Sequence, residues 1–247
     1  MSIFSLFKSS RKEPQQLPFH TDIHCHLVPG VDDGSPDTAT SVEIIERMKG
    51  WGIDRIFLSP HVTQDTFENT PESLAGPYAE LKDAVKAADI DMELHRHAEY
   101  RIDEFFLEQI EAGNLCPLPH NMLLVENSFA QEPWNLDNLL FDLRLKGYTP
   151  IMAHPERYLY YSKYNRDRYN HLHSSGLYFQ INLLSLSGYY GKEEKQAAEW
   201  LMEHNMVEFI GTDVHRHAHA DSIEEYLSSR DFKRHLKYFD SIRNDKI

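Results

Sequence analysis

An α/β fold built on a parallel sheet is predicted by three features of the 247-residue sequence. Short β-branched or apolar runs recur seven times, segments with apolar residues at helical spacing lie between them, and polar residues of metal-binding type follow nearly every run. Strict strand-then-helix alternation calls for a parallel sheet, open or closed, with its functional residues at the carboxyl ends of the strands.

The first run is HTDIHC at 20–25. Side chains at i and i+2 of a strand share a face, so His24 and His26 present two imidazoles together, with Ile23 and Cys25 on the other face. Taken alone, the pair reads equally as a metal site or as two polar residues at a strand end. Val42, Ile45 and Met48 then mark a helix, and DRIFL at 54–58 leads to His61. Thr70 and Pro71 read as the N-cap and first turn of the next helix. DMELHRH at 91–97 precedes Glu99, and MLLVE at 122–126 ends on Glu126. Leu139, Leu143 and Leu145 mark another helix, which Gly147 stops. TPIMA at 149–153 is followed by His154, YFQIN at 178–182 offers only Asn182, and VEFIG at 207–211 leads into Asp213 and His215. Six strands delivering imidazole and carboxylate groups to one rim make a polynuclear site for zinc, manganese or iron.

Other histidines are decoys. His95 and His97 share a strand with Glu99, but strand geometry leaves His95 roughly 13 Å along the chain from it. His171 and His173 fall in a polar helical stretch, and His217 and His219 on a loop beyond the last motif.

The length suits one domain over residues 19–247, behind a flexible arm at 1–18 whose apolar patch is too short for a signal sequence. No apolar run approaches the roughly 20 residues that span a bilayer, so no transmembrane segment is expected. Cys25 and Cys116 make no disulfide framework, which fits a reducing cytoplasm. A formal charge of −14 argues against nucleic acid as a partner, because that binding rests on cations neutralising phosphates. Neither cysteine is followed six residues later by arginine, which excludes thiolate phosphatase chemistry; no phosphate-cradling glycine loop or G-x-S-x-G elbow occurs either.

The ordered series DIHCH, VDDGS, SPH, AEY, VEN, AHPERY and TDVH resembles the polymerase-and-histidinol-phosphatase (PHP) superfamily. More narrowly, it is similar to the bacterial manganese-dependent protein-tyrosine phosphatases associated with capsule and exopolysaccharide synthesis. The resemblance implies a distorted (β/α)7 barrel with three divalent metal ions, manganese foremost, with iron and zinc as alternatives. It implies one ion held by His24, His26, Glu99 and Asp213, a second sharing Glu99 as bridge and adding Glu126 and His154, and a third on Asp33, His61 and His215. Arg157, in HPER, matches the arginine that binds substrate phosphate, and with Glu99 and His61 forms the implied catalytic set. Members of this family often carry a further arginine beyond the D-x-H motif; here Arg216 is the nearest candidate.

The implied reaction is hydrolysis of phosphotyrosine in a protein, the partner being a membrane-bound bacterial tyrosine kinase of polysaccharide export. A water shared by two cations loses its proton near neutral pH, and the cations neutralise the phosphoryl oxygens. Rival readings are a phosphatase of a small phosphomonoester such as histidinol phosphate, a nuclease, or a metal-loaded docking module without catalysis. Net acidity disfavours the nuclease, and a bridging carboxylate beside an arginine has no purpose in a docking module. Tyr158, Tyr160, Tyr161, Tyr164 and Tyr169 follow Arg157 and are suited either to lining the mouth or to packing a helix on the barrel.

Overall fold

The apolar runs become nine short strands among the residues described, 14–162 and 165–247, in the computed structural model. They are β1 (Thr21–Asp22), β2 (Arg55–Leu58), β3 (His61–Val62), β4 (Glu93–Arg96), β5 (Glu99–Arg101), β6 (Met122–Glu126), β7 (Thr149–Ala153), β8 (Tyr178–Asn182) and β9 (Phe209–Gly211). All ladders are parallel, in the orders β1-β2-β4 and β3-β5-β6-β7-β8-β9.

These nine pieces are seven staves of one distorted barrel. β2 runs on into β3 across Ser59 and Pro60, and β4 into β5 across His97 and Ala98. Pro60 has no N–H to give to a ladder, so regular pairing lapses there. Bonds from His97 N–H to Leu58 O (2.9 Å) and from Glu99 N–H to Pro60 O (3.1 Å) still hold the two broken staves together. The ring closes where Asp213 N–H donates to His24 O at 2.7 Å and His26 N–H to Val214 O at 3.0 Å. Ser59 N–H donates to Cys25 O at 2.9 Å on the other side of the first stave.

Ten helices are described around the strands: α1 (Thr38–Gly50), α2 (Ala75–Ala87), α3 (Glu104–Ala112), α4 (Leu136–Leu145), α5 (Leu159–Ser162), α6 (Asp167–Ser174), α7 (Leu183–Ser187), α8 (Lys192–Glu203), α9 (His217–Leu227) and α10 (Arg230–Phe239). None of them is long and apolar enough to cross a membrane. Asp37 caps α1 by accepting from Thr40 N–H, and Asp103 caps α3 by accepting from Phe106 N–H. At the end of α4, Gly147 takes φ +88° and Tyr148 N–H reaches back to Leu143 O, a left-handed stop that glycine adopts without strain. Leu139 and Leu143 are buried there, but Leu145 faces solvent. Thr70 caps less than expected: its Oγ1 accepts from Ser73 N–H in a turn, and α2 begins only at Ala75.

Pleat alternation divides the core. Phe57, Met122, Leu124, Ile151, Ala153 and Phe209 pack together inside the barrel. Their sequence neighbours Ile56, Leu58, Met152 and Ile210 pack outward against the helices, as do Leu123 and Val125 in a smaller cluster with Phe106, Leu139 and Leu143. The first stave departs from the pattern. His24 N–H bonds the Asp22 side chain at 3.2 Å, a local turn that ends regular strand geometry. Ile23 therefore joins the interior cluster while Cys25 packs outward, instead of the two sharing one face. Of the arm expected at 1–18, residues 1–13 lie outside the described residues; Leu17 is buried and donates its N–H to Trp51 O at 2.8 Å.

Gly211 sits where two staves meet under the rim. A Cβ there would fall 2.5 Å from His24 Cβ and 2.8 Å from Gln180 Nε2. Gly211→Ala should overpack this buried junction and lower stability by about 1–3 kcal/mol. Thermal unfolding of the metal-free protein measures this, and an unchanged midpoint would contradict the tight packing.

Candidate metal centre

The same alternation that fills the barrel with apolar side chains places polar ones at its carboxyl rim. Following the inward series on each stave, Leu124 gives way to Glu126, Phe57 and Ser59 to His61, His95 and His97 to Glu99, and Phe209 and Gly211 to Asp213. β3 and β5 pair His61 directly with Glu99. His154 is an exception, because it follows the inward Ala153 and a regular pleat would turn it outward. Its φ of +35° breaks the pleat and brings the ring in; Asp213 is likewise left-handed at φ +52°. Backbone strain of this kind persists only where surrounding bonds over-determine it. Here they do: Arg157 N–H donates to His154 O, Tyr169 OH to Pro155 O, and the buried Glu156 carboxylate accepts from Asn182 N–H and Ser185 OH.

All nine candidate ligands converge. Four groups of ligand atoms, each within 4.8 Å of one another, are formed by His26, Asp33, His61 and His215; by His24, His26 and Asp213; by His24, Glu99 and His154; and by His61, Glu99 and Glu126. Glu99 lies at the middle. One oxygen is 3.3 Å from His24 Nε2, 3.4 Å from His26 Nε2 and 3.1 Å from His61 Nδ1, and the other is 3.0 Å from His154 Nε2. Asp213 Oδ1 stands 3.4 Å from both His24 Nε2 and His26 Nε2. Asp33 Oδ1 stands 3.6 Å from both His61 and His215. His24, His26 and His61 thus each face two groups, whereas the family resemblance assigned each to one ion.

Tautomers are set from behind. His24 Nδ1 lies 2.7 Å from Gln180 Oε1, and the amide cannot be reversed, because Gln180 Nε2 donates to Asn182 Oδ1 at 2.8 Å and Asn182 Nδ2 donates to Asp213 Oδ2 at 2.6 Å. His26 Nδ1 lies 2.9 Å from Asp32 Oδ2. Both Nδ1 atoms therefore carry protons, and the two Nε2 lone pairs face each other at 3.2 Å. Such a contact is repulsive without a cation between the rings. Both Glu99 oxygens, Glu126 Oε2 and His61 Nδ1 are buried with no hydrogen-bond partner despite their close neighbours. These orphaned atoms and the mixed imidazole–carboxylate donor set fit divalent metal ions.

The electrostatics agree. Burial pushes the His24 pKa down, yet the carboxylates of Glu99 and Asp213 outweigh it and raise it to about 9, so without a cation a proton takes Nε2, and the two lone pairs face each other only in the neutral form that would bind a metal. Burial and the neighbouring Glu99 push the Glu126 carboxyl up, as expected when two carboxylates share a site short of cations.

Arg157 donates to Asp213 Oδ2 at 3.1 Å, and its guanidinium carbon lies 4.7 Å from the Phe129 ring centre and 4.0 Å from that of Tyr190. With Asp33, His61, Glu126, His154 and His215 it lines a rim cavity of about 260 Å³. Arg216, also on this lining, is exposed at the start of α9.

The other histidines stay apart from this cluster. His97 lies one pleat repeat below Glu99; its Nδ1 faces Cys116 O at 3.0 Å, and burial pushes it down to about 3. His95 stacks on Phe57 and pairs with Glu93, His171 with Asp137, His173 with Glu208, and His217 with Glu43. His217 and His219 stand on α9 rather than on a loop, and His219 is the exception: it lines the rim cavity, its Nδ1 3.3 Å from the His215 N–H and its ring 5.3 Å from that of His215. Tyr158, Tyr161 and Tyr169 are buried, and Tyr160 OH is tied to Ser128 O, so these rings pack the helices; Tyr164 lies outside the described residues. The aromatic residues of the mouth are instead Phe129, Tyr189 and Tyr190. Sequence reading missed these, together with Asp32, Gln180 and Arg101, whose Nε stands 3.7 Å from Glu126. Asp32 had a visible signal beside Asp33, and Arg101 is two residues from Glu99; the mouth aromatics had none.

The chain matches the family model described as capsular polysaccharide synthesis, CpsB/CapC, over residues 20–242. It is 31% identical over 222 residues to the tyrosine-protein phosphatase YwqE of Bacillus subtilis (strain 168), covering 88% of this chain and 87% of that relative. Identity to the tyrosine-protein phosphatase CpsB of Streptococcus pneumoniae is 27% over 214 residues, covering 83% and 86%. A crystal structure from the study of those two proteins, described as unique metal-dependent tyrosine phosphatases, matches with a TM-score of 0.76 at 28% identity, covering 90% of this chain and 95% of that one.

Asp32 touches both ends of the centre, accepting from His26 Nδ1 and, at 3.0 Å, from His61 N–H. Asp32→Ala should weaken divalent-metal binding by about 10- to 100-fold, the usual effect of removing a carboxylate behind a ligating histidine. Competition titration against a chelator measures this, and wild-type affinity would show that Asp32 does not orient His26.

Proposed function

Because the chain belongs to the CpsB/CapC family of capsular polysaccharide synthesis, we propose that it is a metal-dependent phosphatase hydrolysing phosphotyrosine in proteins. Its centre holds three divalent cations, manganese foremost, on His24, His26, Asp33, His61, Glu99, Glu126, His154, Asp213 and His215. Its partner is a membrane-bound tyrosine kinase of polysaccharide export, met in the cytoplasm, where Cys25 and Cys116 stay unpaired. The observation that carries this reading is the buried, partnerless Glu99 carboxylate among inward-facing imidazoles, beside an arginine open to the rim cavity.

Bound cations supply an activated water and neutralise charge on the phosphoryl group. The chain's own residues do the rest. Glu99 has two oxygens aimed at different imidazoles, the arrangement a bridging carboxylate needs. Gln180, Asn182 and Asp32 hold the ring protons at Nδ1 of His24 and His26 and so keep each Nε2 a donor of electrons. Arg157 offers a planar fork matched to two phosphate oxygens, and its side chain is 23% exposed, enough to meet a substrate in the cavity. Asp213 and the two aromatic rings hold that fork in place. A phenolate with a pKa near 10 leaves more readily than an alkoxide, which lessens the need for an acid at the leaving oxygen.

Manganese-loaded protein should release phosphate from phosphotyrosine peptides, and chelation should abolish the activity. Glu99→Gln should lower kcat at least about a hundredfold. Arg157→Ala should lower kcat/KM by about 10- to 100-fold, the worth of charge-assisted hydrogen bonds to an anion. Much faster turnover of histidinol phosphate would overturn the substrate, and full activity of metal-stripped protein would overturn the centre.

A further inference from the structure

Phe129 and Tyr189 are large rings left 44% and 43% exposed, and both line the rim cavity. Water contact with so much apolar surface is unfavourable, and exposed rings gathered at one mouth mark a binding surface. Neither ring is loose. Phe129 stacks on His154 with centroids 5.6 Å apart and planes at 20°, and packs on Tyr158 and the Arg157 guanidinium. Tyr189 meets Tyr190 edge-on at 5.5 Å and His219 at 4.7 Å. Through Arg157 and Tyr190 the contacts run unbroken from one ring to the other around the cavity.

We infer that Phe129 and Tyr189 are the specificity-determining walls of this site, and that they select an aryl phosphate monoester over an alkyl one. This rests on the phosphatase reading above. A phosphate held by Arg157 lies beside Phe129, because the guanidinium carbon is 4.7 Å from that ring's centre. An aromatic group on the ester oxygen then reaches the 4.5–7 Å centroid separation at which rings attract one another. A serine or threonine ester places only a short alkyl group there and leaves both walls wet. The buried tyrosines after Arg157 take no part, since their hydroxyls are tied to backbone beneath the rim: Tyr158 to Ala153 O and Tyr169 to Pro155 O.

The test uses phenylphosphonate and methylphosphonate, which carry the same anionic head, as ligands of manganese-loaded full-length protein in calorimetric titrations. Wild type should bind the phenyl compound more tightly. Tyr189→Ala should weaken phenylphosphonate severalfold and leave methylphosphonate within about twofold, with a matching rise in KM but not a fall in kcat for a phosphotyrosine peptide; adding Phe129→Leu, which keeps an apolar side chain against Arg157, should bring the loss for phenylphosphonate to about tenfold. Phe129→Tyr with Tyr189→Phe should restore the preference. Equal weakening of both phosphonates would mean the rings merely position Arg157 or the metal ligands, and overturns the inference, as does a wild type without phenyl preference. Phenyl selectivity in a protein that fails to hydrolyse the peptide would instead bring down the phosphatase reading and leave the walls standing.

Discussion

Glu99 is the constraint around which the rim is organised. A fully buried carboxylate without a hydrogen-bond partner is costly unless a cation or several imidazoles stand over it. Four histidines from three different staves do so, within 3.0–3.4 Å: His24 and His26 from the first, His61 from the second and His154 from the fifth by way of its left-handed turn. Those positions are attainable together only if the barrel closes. The bonds from Asp213 N–H to His24 O and from His26 N–H to Val214 O are therefore as important to the centre as the ligands themselves.

Behind the ligands, the barrel interior changes character within one pleat. Apolar Phe57, Leu124, Ile151 and Phe209 fill the lower layers, and one repeat higher an amide relay of Gln180 and Asn182 ties His24 to Asp213. The sixth stave contributes no metal-capable carboxylate or imidazole, yet it is not idle. Its amides fix the orientation of ligands on the first and seventh staves, and its neighbour Glu156 anchors the turn that carries His154 and Arg157. On the proposed reading, cations would supply the chemistry, and the polypeptide would contribute geometry, tautomer and a clamp for the anionic substrate.

Much of this was legible in the residues. Three of the seven runs, 122–126, 149–153 and 178–182, coincide with β6, β7 and β8, because strands buried on both faces read as continuous apolar segments bounded by turns. Ends were harder. Thr70 caps a turn rather than α2, since the decisive partner, Ser73, is a matter of local geometry. Leu145 fits the helical period but lies past the covering contact of α4 and faces solvent. The tyrosines after Arg157 were ambiguous by composition; their hydroxyls find backbone acceptors under the rim, which settles them as packing.

The sequence by itself determined which residue types stand at the carboxyl ends of the strands, because a period of two and a short turn are local properties of the chain. It also placed His95 too far down its strand to reach the rim. Only the tertiary structure decided which ligands face which, that His24, His26 and His61 each stand between two groups, and that His97 stays one layer below. The same holds for Asp32 and Gln180 behind the imidazoles and for Phe129 and Tyr189 at the mouth. Those relations join residues far apart in the chain, His24 and Gln180 by 156 positions, and distances of that kind come into being only when the last stave closes against the first.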